Sequence, residues 1–171
     1  DFIRRLPEHA FGRFVLAFSL LSFAANFSAP FFAIYMLNDL KLNYLRYTIL
    51  LSIPSLVIIL TMRFWGRMCD RIGYVIPMRL FATMIVGLPL VWVITQTYWH
   101  LVAVQMFAGV AWGGMQMASF NYTLDAIGPN NRLRSIAYLN AINSFCIFLG
   151  SMSGGLLGPH LPQIGDSWVY S

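Results

Sequence analysis

Apolar residues run almost unbroken through four stretches of this chain, and charge appears only between them. No Asp, Glu, Lys or Arg occurs at 14–38, 47–62, 80–124 or 135–165. A helix needs about 20 apolar residues to cross a bilayer, so these stretches hold one, one, two and one spans. The third must fold back, since a single helix of that length would reach about 65 Å at 1.5 Å per residue. The break falls at 96–100, Gln-Thr-Tyr-Trp-His, whose polar and aromatic side chains suit a membrane interface. The pattern predicts five membrane helices, at 11–37, 47–65, 76–95, 98–127 and 133–157, in an all-α polytopic bundle.

Composition agrees. Of 171 residues, 58% are hydrophobic and 10% charged, whereas a soluble domain carries about 25% charged residues. A net charge of +5 could suggest nucleic acid in a soluble protein, but topology explains it here. Nine arginines (4, 5, 13, 63, 67, 71, 79, 132 and 134) fall on one side of the five-helix arrangement, and only Lys41 and Arg46 on the other. That asymmetry places the N-terminus in the cytoplasm. No basic patch lies away from the membrane flanks, so nucleic acid is not an expected partner. The lipid bilayer is.

The connections are too short for a soluble domain. Residues 1–12 read as a basic, amphipathic cytoplasmic lead-in or linker, and 13–171 as part of a larger helical half. The first residue is Asp1 and apolarity returns at Trp168-Val169-Tyr170, so a fragment ending at the start of a sixth span is expected. The first span is too long for a signal peptide. Cys69 and Cys146 lie at different depths and are expected to be free thiols.

Within the spans, Pro30, Pro54 and Pro89 break the backbone ladder, with Ser28, Ser52 and Ser55 near enough to help satisfy it. Gly109 and Gly113, then Gly150, Gly154 and Gly158, recur at four-residue spacing, a seam along which helices can approach closely. Three spans carry a small or polar stripe at helical spacing. Asn26, Gln105, Trp112, Gln116, Asn140 and Asn143 stand out in those stripes as candidates to line a substrate cavity. An amide turned to lipid would lack partners at a cost of a few kcal/mol, so these faces should point inward, toward another helix or a polar cleft. No charged residue lies near the centre of a span, where proton and ion sites usually sit. Asp39 and Asp125 read as helix-end residues.

No enzymatic arrangement is visible. His9, His100 and His160 are scattered, no metal-ligand or nucleophile-elbow spacing occurs, and the phosphate loop of ATP-driven pumps is absent. No cofactor is implied.

Between the second and third spans lies Gly66-Arg67-Met68-Cys69-Asp70-Arg71-Ile72-Gly73, read as a charged loop with Gly66 and Gly73 allowing a tight bend. This G-x-x-x-D-R-x-G sequence resembles the signature loop of the major facilitator superfamily. Residues 2–7, 11–15, 30–37 and 108–114 are similar to the second half of bacterial members, which would make the five spans helices seven to eleven of twelve. The resemblance implies a secondary transporter in a bacterial cytoplasmic membrane, with a small-molecule substrate and a missing other half. Two halves would rock about a central site. Gly66, Asp70, Arg71 and Gly73 would form a conformational gate, Asp70 latching onto a helix end of the other half. Many members continue with basic residues after the last glycine; here Tyr74-Val75-Ile76-Pro77 follows. A channel or a sensor on a similar fold is the alternative.

Overall fold

The computed structural model describes residues 10–93, 97–127 and 132–157. They form α1 (Ala10–Ile34), a π-helical turn (Tyr35–Asp39), α2 (Tyr44–Ile72), α3 (Val75–Val93), α4 (Tyr98–Ala126) and α5 (Arg132–Leu157). There is no strand among the described residues. All five helices are long and apolar enough to cross a membrane. Most of the expected lead-in at 1–12 and the expected sixth span fall outside the described residues.

The boundaries follow the hydrophobic pattern closely except in α2. That helix is capped by Asn43, an extended residue whose side chain accepts a hydrogen bond from the Leu45 amide at 3.4 Å, a usual N-cap arrangement. It then continues through most of the charged motif, which is therefore helix and not loop. Arg63, Arg67, Met68 and Arg71 are good helix formers, and Gly66 does not interrupt them. Gly73 does, with φ of 77°, a conformation that suits a residue without a Cβ. At 29 residues, α2 is about 43 Å long by its rise per residue and outreaches a hydrocarbon core of roughly 30 Å. Its arginine-rich last turns thus fit the interface.

The prolines are accommodated differently from the expectation. Ser28 and Ser52 donate to the Ala24 and Thr48 carbonyls, four residues back. The carbonyls left free by Pro30 and Pro54 belong to Asn26 and Leu50, so these hydroxyls satisfy themselves and not the broken ladder.

Two compact units emerge, one built on α1 and α5, the other on α2, α3 and α4. In the first, Gly150 lies against the backbone of Phe23 and Gly154 against that of Phe27. Residue numbers rise together along the contact, so the two helices run parallel. In the second, Gly109 meets Pro54 and Val57, Gly113 meets Ile58, and Gly66 meets Met117, so α2 and α4 are parallel too. Helix α3 packs with both: Phe81 is fully buried against Gly114 and stands edge-on to Trp65 at 4.7 Å. Lipid offers no hydrophobic drive between helices, so these close approaches hold the units through dispersion.

Candidate functional site

Helix α4 carries the densest burial of any span. Gln105, Trp112 and Gln116 lie seven and four residues apart, which puts them on one face. Exposure rises along that face: Gln105 is buried, Trp112 half-buried and Gln116 exposed. Ser119 and Thr123 are buried beyond them, each donating to a carbonyl one turn back, at 2.6 and 2.8 Å. They are thus spent on the helix itself.

In the α1–α5 unit the three asparagines behave unlike one another. The Asn26 amide donates to the Ser22 carbonyl at 2.8 Å, so its donor is engaged within its own helix. Asn140 is exposed and Asn143 half-buried. The Asn143 Oδ1 is a buried acceptor without a hydrogen-bond partner among the described residues, and so is the Ser19 Oγ. A buried polar atom left unpaired costs about 1–3 kcal/mol, which makes these two the most demanding polar atoms of the unit. Both lie within about two helical turns of the Phe23–Gly150 contact. In the sequence nothing local distinguishes Ser19 from Ser22.

The motif forms the end of the α2–α4 unit. Its residues divide between two faces of α2. Gly66 and Cys69 turn toward α4: Gly66 lies beside Met117, and Cys69 is buried beside Asn121. Arg67, Asp70 and Arg71 are exposed. Arg67 and Arg71 line a shallow cavity of about 190 Å³ with Phe64, Met68 and Ile72, and the Arg67 Nε donates to the Arg63 carbonyl. Gly66 was expected to allow a tight bend in a loop. It instead admits a side chain of α4.

Past Gly73, the Tyr74 hydroxyl donates to Asp125 Oδ2 at 2.8 Å, and its ring lies 5.2 Å from that of Tyr122. The accepting carboxylate pushes the Tyr74 phenol above its ordinary value of 10. Asp125 occupies the last turn of α4, the negative end of the helix dipole, where an acid is disfavoured. The sequence showed the misplaced acid and the unusual tyrosine but not that they meet. Among the described residues, no three His, Cys, Asp or Glu side chains cluster as metal ligands.

A family model, that of the Major Facilitator Superfamily, matches residues 14–170. No curated protein and no solved structure matches the chain.

Proposed function

This chain belongs to the Major Facilitator Superfamily of membrane transporters, and on that premise we propose that it carries a small solute across a bilayer by alternating access. The observation that carries the reading is the single face of α4 bearing Gln105, Trp112 and Gln116, in a span whose one charged residue, Asp125, lies in its last turn. Such a face offers amide donors and acceptors beside an aromatic wall, which suits a neutral or amphipathic solute. In the α1–α5 unit, taken by itself, Asn26, Asn140 and Asn143, the last with an Oδ1 unpaired among the described residues, are the candidate solute-binding amides.

Gly66, Asp70, Arg71 and Gly73 serve as the gate. Asp70 is exposed at the end of α2, where it would latch onto a helix end of the other half. The arginine asymmetry supports a cytoplasmic position for this end, and a bacterial inner membrane is the setting that the resemblance implies. An impermeant thiol reagent should therefore label an Arg67→Cys variant in inverted vesicles and spare it in sealed cells.

The test is uptake by the full-length protein in proteoliposomes. Neutral and amphipathic solutes that raise its thermal stability are offered in radiolabelled form. Saturable flux is expected, with Gln105→Ala and Asn143→Ala raising KM. Asp70→Asn should lower turnover more than binding. Flux that never saturates would make the protein a channel, and binding without flux a sensor.

A further inference from the structure

Three contacts form a ladder between the ends of α2 and α4. Gly66 meets Met117, Cys69 lies beside Asn121, and Tyr74 bonds to Asp125 at 2.8 Å. Each rung is about one helical turn from the next on α4, at 117, 121 and 125. The last two rungs are polar: Cys69 and Asn121 share a side-chain hydrogen bond, and the Tyr74–Asp125 bond joins residues 51 positions apart. The latter also spans the turn where α2 has already ended, because Gly73 swings the chain through a left-handed φ.

We propose that Tyr74 is a positioning residue: its bond to Asp125 fixes the α2–α3 turn to the end of α4, so that the exposed motif residues and the polar face of α4 move as one body. The chemistry fits the place. Asp125 sits where the helix dipole opposes a negative charge, and a phenol donor offsets that without bringing in a second charge. The Tyr74 ring, held against Tyr122 at 5.2 Å and 57°, sets the direction of the hydroxyl. Asp70 lies on the other side of α2, one turn before Tyr74, and its reach depends on how that turn is held. A displacement of α4 as solute binds along Gln105, Trp112 and Gln116 would then reach Asp70 through the ladder.

The role in coupling rests on the alternating-access reading, but the clasp itself can be tested without any substrate. Cys69 is buried in the second rung, so its reaction with N-ethylmaleimide reports opening between the helix ends. Cys146, half-buried in α5, serves as the internal reference. In membranes containing the full-length protein, Tyr74→Phe retains the ring and removes the donor. Loss of one hydrogen bond should speed Cys69 labelling about 5- to 10-fold through local opening, with Cys146 unchanged. Asp125→Ala should do the same, and the double variant should react no faster than the singles because both remove one bond. Tyr74→Gln, which keeps a donor, should recover part of the slow rate. An unchanged Cys69 rate in Tyr74→Phe would overturn the proposal. So would effects that multiply in the double variant, or equal acceleration of Cys146, which would mean general loosening. Failure of uptake with an intact labelling pattern would count against alternating access and leave the clasp standing.

Discussion

Both packed units rest on glycine, but different things meet the glycine in each. Between α1 and α5 it is backbone. A Cβ built on Gly150 would stand 2.5 Å from the Phe23 carbonyl oxygen, and one on Gly154 would run into the carbonyl of Phe27. Between α2 and α4 the contact changes along the seam. Gly109 still meets the Pro54 backbone at 2.8 Å, but Gly113 meets the Ile58 side chain at 3.2 Å and Gly66 the end of Met117 at 3.1 Å. Past that point the seam is held by Cys69, Asn121 and the Tyr74–Asp125 bond. Backbone has nowhere to go, whereas a side chain can change rotamer. The α1–α5 pair is therefore the stiffer seam. Toward the charged motif the α2–α4 seam is held by side chains instead of backbone, so it can adjust more easily there.

The contrast is tested hardest at Gly154. Gly154→Ala should cost about 3 kcal/mol or more, the upper end of overpacking effects. It should appear as lost thermal stability and a smaller monodisperse fraction of the detergent-solubilised protein. Adding Phe27→Leu should recover nothing, since the clash is with a carbonyl and not with the ring. A stable Gly154→Ala variant would refute the stiff seam.

Gly114 should behave otherwise. The added methyl of Gly114→Ala would strike the ring of Phe81, which is fully buried and wedged against Trp65. A cost of about 1–3 kcal/mol is expected. Here Phe81→Leu should restore roughly 1 kcal/mol of it, a coupling normal for residues in contact. Equal failure of rescue at Gly114 and Gly154 would erase the distinction between side-chain and backbone contacts.

The sequence was a good guide to what depends on long uniform stretches and a poor one to what depends on meetings across the fold. Five spans were legible because apolar stretches without charge over sixteen or more consecutive positions have few other uses. The end of α2 was not, because arginines and a glycine read as loop while their propensity and the Met117 contact make them helix. Asn26 looked like a cavity residue by spacing alone, yet its amide turns back on Ser22. Stripe position fixes a face, not what a flexible amide does with it. Asn143 and Ser19 stand out in holding a buried side-chain oxygen with no hydrogen-bond partner among the described residues, a property of packing. The tie between Tyr74 and Asp125 crosses 51 residues, and no local signal encodes it.

That tie makes a smaller, pH-dependent prediction. Tyr74→Phe should lose about 0.5–1 kcal/mol, the lower part of the range for a hydrogen bond, because the site is exposed. The phenol is raised above 10 by its carboxylate partner, so the bond favours the neutral hydroxyl. Its contribution is fully present below the unfolded phenol's value of 10 and is lost as pH climbs through the higher folded value. The difference in Tm between wild type and Tyr74→Phe should hold steady from pH 6 to 9 and close as pH climbs past the raised phenol value. Taking the difference cancels titrations common to both proteins. A gap that widened with pH would mean that the hydroxyl is not the donor.

The smallest effect belongs to a glycine that meets nothing. Gly87, in the middle of α3, has open space within 4 Å of where a Cβ would stand, so Gly87→Ala removes no contact and adds no clash. In water, replacing a mid-helix glycine by alanine should stabilise by about 0.8–1 kcal/mol, because glycine has more backbone freedom to lose. That gain comes from the unfolded state. In a bilayer the reference is different: with no water to satisfy the backbone, a span stays helical even when the bundle comes apart. Glycine then has little extra freedom to surrender, and the gain should shrink to within about 0.5 kcal/mol of zero. The same substitution would thus run from severe at Gly154, through repairable at Gly114, to silent at Gly87. A clear loss of stability at Gly87 would show that something packs on that face of α3, and the ranking by contact would have to be redrawn with it included.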